Sequence, residues 1–164
     1  MTLLLPILVI GVGATVVMDL IAVVLSRVLG TPLPDYTFVG RWVGHMAHGQ
    51  FRHETIAAAP AVAGERTLGW TLHYLTGVAY AALLLALWGS AWARQPTLLP
   101  ALAVGLGTIV VPFLIMQPAF GLGVASSRHR TPWAARLRSL TSHFSFGVGL
   151  YLAGLANSLL QGSG

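Results

Sequence analysis

Three ionisable side chains, Asp19, His73 and His143, stand inside apolar stretches of this sequence, where charge is expensive. Such groups face a protein interior, pair with one another and mark ion or proton paths. At 1.5 Å per helical residue, Asp19 lies about 12 Å from Arg27, His73 about 10 Å from Arg66, and His143 about 8 Å from Arg138. Gln117 lies about 16 Å from Arg128 by the same measure, and it reaches their level if Pro118, Gly121 and Gly123 shorten that end of its stretch. The expectation is one polar cluster of Asp19, His73, Gln117 and His143.

Four chemistries suit an acid, an amide and two imidazoles. The histidines can hydrogen-bond across helices and fix packing. The set can pass protons, cations or a small polar solute. The imidazoles can ligate haem axially or contact a quinone, or a metal can bridge His73, His143 and Asp19. No local motif chooses among these, so the cofactor stays unknown.

A second candidate is His45-x2-His48-x4-His53, beside Glu54. On a helix His45 and His48 share a face and His53 can fold back, which would gather possible metal ligands. The same residues serve equally as an amphipathic surface, and the spacing matches no established zinc pattern. There is no nucleophile elbow, phosphate-binding glycine loop or His-Glu-x-x-His, and Gly11-x-Gly13 lacks the rest of a dinucleotide fingerprint. Ser126-Ser127 beside Arg128 reads as helix-end polarity rather than a nucleophile. An enzyme is not expected.

The elements that position these residues follow from composition. With 55% hydrophobic residues, 8% charged and a mean hydropathy of +0.77, the chain is not a soluble domain. Crossing about 30 Å of hydrocarbon needs roughly 20 helical residues, and four stretches suffice: about 3–27, 67–92, 97–125 and 134–160. The first lacks a cationic leader and an Ala-x-Ala cleavage signal, so it reads as retained. The absence of cysteine excludes disulfides and thiolate metal sites.

All nine basic residues are arginine, giving a net charge of +5. They sit at the ends of the stretches, which fits membrane topology and lipid-headgroup contact rather than nucleic acid. Arg27, Arg41, Arg52 and Arg66 flank the first connection, Arg128, Arg130, Arg136 and Arg138 the third, and only Arg94 lies in the second. The positive-inside rule then puts connections one and three in the cytoplasm and both termini in the periplasm. The polar cluster falls in the cytoplasmic half.

The text also repeats. Leu4-Leu5-Pro6-x-Leu8-x-x-Gly11-x-Gly13 returns as Leu98-Leu99-Pro100-x-Leu102-x-x-Gly105-x-Gly107, and Arg66-x4-Thr71-x-His73-Tyr74-x-x-Gly77 as Arg136-x4-Thr141-x-His143-Phe144-x-x-Gly147. The order implies a single integral membrane domain, 1–164, of two tandem parallel-repeat helical hairpins. Repeat one is 1–92, with an insert at 31–65, and repeat two is 97–160. Parallel repeats relate halves about an axis along the membrane normal, and transporter sites often lie at the repeat interface. His73 and His143 match, whereas Asp19 and Gln117 each belong to one copy.

Within the insert, Pro32 and Pro34 are expected to stop the first helix. Tyr36, Val39, Trp42, Val43 and Met46 recur at steps of three and four, as on a helix lying in the interface. Residues 57–64 read as a flexible return. Gly77 with Ala81, and Ser145 with Gly149 and Ala153, mark faces for close helix approach, and Pro112 and Pro118 are expected to kink the third span.

Gly40-Arg41-Trp42-Val43-Gly44-His45-Met46, Phe51-Arg52-His53, Gly64-Glu65-Arg66 and Gly69-Trp70-x-x-His73-Tyr74 resemble a bacterial family of small membrane proteins, domain of unknown function 2938. The similarity continues through Met116-Gln117-Pro118, Arg136-Leu137-Arg138 and His143 and covers most of the chain. It implies a four-span protein of the bacterial inner membrane and no activity. The expectation is an all-α, four-helix transmembrane bundle with an interfacial helix in the first cytoplasmic connection, acting as a small transporter or channel-like protein. The alternatives are a haem- or quinone-binding redox or assembly subunit, or a structural membrane partner. Expected partners are the lipid bilayer and a second copy or a larger membrane complex, not nucleic acid.

Overall fold

The computed structural model describes residues 3–162. Residues 1–2 and 163–164, the expected periplasmic termini, lie outside the described residues. The chain is all-α, with no strand among the described residues: α1 (Leu4–Leu29), α2 (Thr37–Met46), α3 (Glu65–Arg94), α4 (Leu98–Gly107), α5 (Gln117–Ala119) and α6 (Pro132–Gly162). A 3-10 turn, Ile56–Ala58, precedes α3, and a π-helical stretch, Pro112–Met116, links α4 to α5.

Four segments are long and apolar enough to cross a membrane: Leu4–Leu29, Glu65–Arg94, Leu98–Ala119 and Pro132–Leu160. Only 22% of the most apolar window of α1 is buried. Its Leu4, Leu5, Leu20, Val24, Val28 and Leu29 point outward. In water such a face would be a large apolar liability, and against lipid it is the expected surface.

Two boundaries differ from expectation for backbone reasons. α1 stops ahead of the insert prolines because Gly30 takes a left-handed conformation (φ 66°) and returns its N–H to Ser26 O at 3.0 Å, a glycine C-terminal cap. The third span ends at Ala119 rather than near 125, since Gly121 (φ 86°) and Gly123 (φ 72°) turn the chain out of the helix. Between α4 and α5 the helix widens at Pro112, whose missing N–H removes one rung of the ladder, and Gln117 N–H reaches back five residues to Pro112 O. Such π turns frequently accompany functional sites.

The contacts group the chain into two compact units: Met1–Leu33, Tyr74–Thr108 and Thr141–Gly164 form one, Pro34–His73 and Ile109–Leu140 the other. The first is a packing of α1, α4 and the adjoining parts of α3 and α6 around Ile10, Leu84, Leu85, Phe146 and Leu150. Its helices meet backbone to backbone. A Cβ added at Gly11 would lie 2.5 Å from Val78 Cα, one at Gly105 2.5 Å from Gly147 Cα, and one at Gly149 2.6 Å from Ala14 O. Small residues permit that approach, and close packing is what associates helices in lipid.

The second unit centres on Ile56, Ala119 and Phe120, with Phe38, Val39 and Trp42 of α2 against them. The amphipathic period read from Tyr36 to Met46 is therefore a helix, and part of its apolar face covers this small core. α2 lies on the start of α3 so closely that a Cβ on Gly40 would strike Glu65 O and one on Gly69 would strike Tyr36 O. Residues 53–56 are tied to the end of the third span by His53 N–H to Ala119 O at 2.8 Å and Ile56 N–H to Phe120 O at 3.2 Å.

Candidate functional site

In the first unit, His143 of α6 lies over α4. Its Nδ1 is 3.0 Å from Gly105 O and 3.2 Å from the Thr108 hydroxyl oxygen, and that hydroxyl donates to the same carbonyl at 2.9 Å. A carbonyl oxygen only accepts, so Nδ1 carries the proton and the neutral ring keeps its lone pair on Nε2. A histidine oriented through one nitrogen presents the other as a base or ligand. The contact exists because Gly105 and Gly147 let α4 and α6 touch.

Asp19, half-buried on α1, accepts a hydrogen bond from the Tyr74 hydroxyl on α3 at 3.1 Å. The hydroxyl supplies part of the solvation that a carboxylate in an apolar helix lacks. Sequence spacing puts Asp19 and the neighbourhood of residue 73 at similar depth, and Tyr74, one position after His73, is a partner of Asp19.

The second unit holds the other two expected members. His73 stacks on Tyr36, ring centroids 3.8 Å apart and planes 18° apart, and meets Trp70 edge-on at 5.7 Å. Gln117 is buried, donates Nε2 to Ser139 at 3.2 Å, and has no hydrogen-bond partner for Oε1 among the described residues. Tyr74 is one partner of Asp19, Tyr36 one of His73, Ser139 one of Gln117, and Gly105 with Thr108 contact His143.

The histidine group of the insert resolves into a pair. His45 Nδ1 and His53 Nε2 stand 2.7 Å apart, and His45 Nε2 is 3.0 Å from Pro60 O. His48 is exposed and turns to Gly44 O at 3.4 Å. Among the described residues, no group of three or more His, Asp or Glu side chains is placed to hold a metal ion.

Arg41 has a larger role than topology. Its Nε and Nη2 grip Glu65 at 2.8 and 2.7 Å, and Nη1 donates to the carbonyls of Ile56, Ala57 and Ala59 at 3.3, 3.3 and 3.1 Å. Glu65 also accepts Val62 N–H at 2.9 Å. The bond to Glu65 raises the guanidinium pKa above its ordinary value, so its charge is permanent. The 57–64 return, expected to be flexible, is instead strapped to α2 and the start of α3.

The serine pair lies on a strained turn. Ala125 and Ser126 both adopt positive φ, 47° and 56°, and Ser126 is buried. Arg136 Nε holds the turn through Ala125 O at 2.8 Å. Left-handed backbone at non-glycine residues persists only where surroundings enforce it. Nothing in the side-chain spacing of Ser126-Ser127 announced that conformation.

A family model described as a protein of unknown function (DUF2938) matches residues 8–157. No curated protein and no solved structure matches the chain.

Proposed function

The chain belongs to the DUF2938 family of proteins of unknown function, and from its geometry we propose a small multi-pass transporter or channel-like protein that passes protons or small cations. The observation that carries this reading is His143: its Nδ1–H is committed to Gly105 O at 3.0 Å, so a basic Nε2 is left on a helix apolar enough to cross a membrane. Ionisable groups at such depth mark ion or proton paths by default. Asp19 with Tyr74 adds a carboxylate that can exchange a proton or attract a cation.

On this reading the protein sits in the bacterial inner membrane, its arginine-rich connections face the cytoplasm and its termini the periplasm, and it performs no covalent chemistry. Its immediate partner is the bilayer, joined by a second copy or a larger membrane complex. The repeat architecture has independent support. Gly11 meets the Gly77–Val78 backbone and Gly105 meets Gly147, and these contacts fall at corresponding positions of the two copies. A parallel duplication would reproduce one helix crossing twice in this way.

The test is proton flux in proteoliposomes carrying an interior pH dye. Wild-type protein should dissipate an imposed pH gradient, and His143→Ala and His143→Gln, each shown to be folded by circular dichroism, should fall to the rate of empty vesicles. Wild-type rates in both folded variants would reject the reading. So would a Soret band in purified protein that disappears in them, which would assign the imidazole to haem.

A further inference from the structure

Gln117 is 5% exposed, and its Oε1 has no hydrogen-bond partner among the described residues. Buried polar atoms are nearly always paired, so an exception calls for a physical reason. The side chain is not loose, because its Nε2 donates to the Ser139 hydroxyl on α6 at 3.2 Å. That contact commits the nitrogen of the amide and leaves over an oxygen, which only a donor or a cation can meet.

The backbone beside it is short of donors as well. Gln117 N–H reaches back to Pro112 O, Phe120 N–H bonds Met116 O at 2.9 Å, and Pro118 has no N–H. For the carbonyls of Phe113, Leu114 and Ile115 the helix then offers only Ala119 N–H, which in α geometry belongs to Ile115. The carbonyls of Phe113 and Leu114 are left without a helical donor. Helical carbonyls point along the axis toward the turn ahead, here the turn that carries Gln117.

We infer that Gln117 Oε1, the Ser139 hydroxyl oxygen and the freed carbonyls of Phe113 and Leu114 form a site for one monovalent metal cation, sodium or potassium. Unpaired carbonyls at membrane depth are tolerated only where protein or a polar cavity surrounds them. Oxygen ligands suit hard cations, and carbonyls freed from a broken helix can replace the hydration shell of a monovalent ion. The serine oxygen has two lone pairs, so it can accept from Gln117 and still face an ion.

The charge of the ligands sets the charge of the ion. Residues 109–120 and 132–140 contain no Asp or Glu, and a divalent ion is ordinarily held by carboxylates. Arg136, one turn before Ser139, is engaged with Ala125 O at 2.8 Å and lies over the Trp133 ring at 5.3 Å. A positive neighbour also disfavours the doubly charged ion. Gln117 stands close to Ala119, where the third span ends, so an ion from the membrane boundary has about one helical turn to cross. The site deepens the transport reading by naming the ion, and it rests on that reading for its purpose but not for its chemistry.

Equilibrium binding tests the site apart from flux. Full-chain protein in detergent is titrated with sodium chloride or potassium chloride, with choline chloride holding the ionic strength constant, and the unfolding midpoint is followed by differential scanning fluorimetry. An ion that binds only the folded chain raises the midpoint with its concentration, and sodium or potassium should do so where choline does not. Gln117→Met, apolar and of similar length, should weaken that response at least about tenfold in concentration, as expected for one lost buried polar contact. Ser139→Ala should weaken it as well, and Gln117→Glu should strengthen it by adding charge. A wild-type midpoint indifferent to both alkali ions, or an unchanged response in folded Gln117→Met, would overturn the site. Wild-type flux in the His143 variants would instead reject the transport reading and leave the site standing.

Discussion

Arg41 and Glu65 meet through two parallel contacts of 2.8 and 2.7 Å although 24 residues separate them, and both side chains are nearly nine-tenths buried. Removing one partner of such a pair leaves the other charge uncompensated, a loss of about 3 to 5 kcal/mol when the site is fully desolvated. Arg41 also carries three carbonyl contacts, two of them in the 57–64 return. The pair is only part-buried, so Arg41→Ala is expected to lower thermal stability in detergent by less than that limit, about 1 to 3 kcal/mol. Arg41→Lys should recover little of it, since an ammonium cannot reproduce the forked geometry. Differential scanning fluorimetry checks both, and a wild-type midpoint in Arg41→Ala would show that the clamp contributes nothing.

Gly105 and Gly107 lie two residues apart on α4 and should behave oppositely. A Cβ at Gly105 would lie 2.5 Å from Gly147 Cα and 2.8 Å from His143 O, whereas at Gly107 it meets nothing within 4 Å. Gly105→Ala forces the helices apart at a cost of about 1 to 3 kcal/mol, typical of overpacking. It should also lengthen the His143 contact. Gly107→Ala should be neutral or stabilising by up to about 1 kcal/mol through helix propensity. Unfolding midpoints of the two variants decide, and equal midpoints would contradict the backbone-to-backbone crossing.

The same contrast indicates what could be read before the fold was known. Four hydrophobic stretches and the amphipathic period of Tyr36 to Met46 announced the spans and α2, because helix periodicity and span length are local properties. The Arg41–Glu65 clamp was not legible, since a contact across 24 residues depends on tertiary packing. For that reason the Ala/Pro/Gly-rich return looked flexible. Asp19 and His143 were legible as polar groups in apolar helices, but their partners Tyr74, Thr108 and the Gly105 carbonyl were not. A backbone carbonyl has no sequence signature, and a tyrosine beside a histidine is easily passed over. The His45–His53 pair was half legible: the spacing suggested convergence, but not that His48 would turn aside.

Tyr74 donates to Asp19 at 3.1 Å, which makes Tyr74→Phe a narrow test of how that carboxylate is held. The substitution keeps the ring and deletes one hydrogen bond to a carboxylate, expected to cost about 1 to 2 kcal/mol. If Asp19 belongs to a proton or cation path, flux should change in Tyr74→Phe while circular dichroism does not. Asp19→Asn, which keeps an acceptor for the tyrosine but removes the charge, should lose flux and retain most stability. Asp19→Asn with wild-type flux would restrict the pair to packing.

Ala125 is held at φ 47° and ψ 45°, with Arg136 Nε on its carbonyl at 2.8 Å. For an L-residue with a Cβ the left-handed region costs about 1 to 2 kcal/mol, and glycine avoids that cost. Glycine also has more backbone freedom to lose on folding, which offsets part of the gain. Ala125→Gly should therefore raise stability by up to about 1 kcal/mol, whereas Ala125→Val, β-branched in a conformation that disfavours it, should lower it. If the strained turn instead reflects a constraint needed for activity, Ala125→Gly will be more stable and less active in the flux assay, because strain retained at a working site is relieved at the expense of its geometry. Stability and flux measured on the same preparation separate the two cases, and a destabilised Ala125→Gly would mean that the turn is not strained.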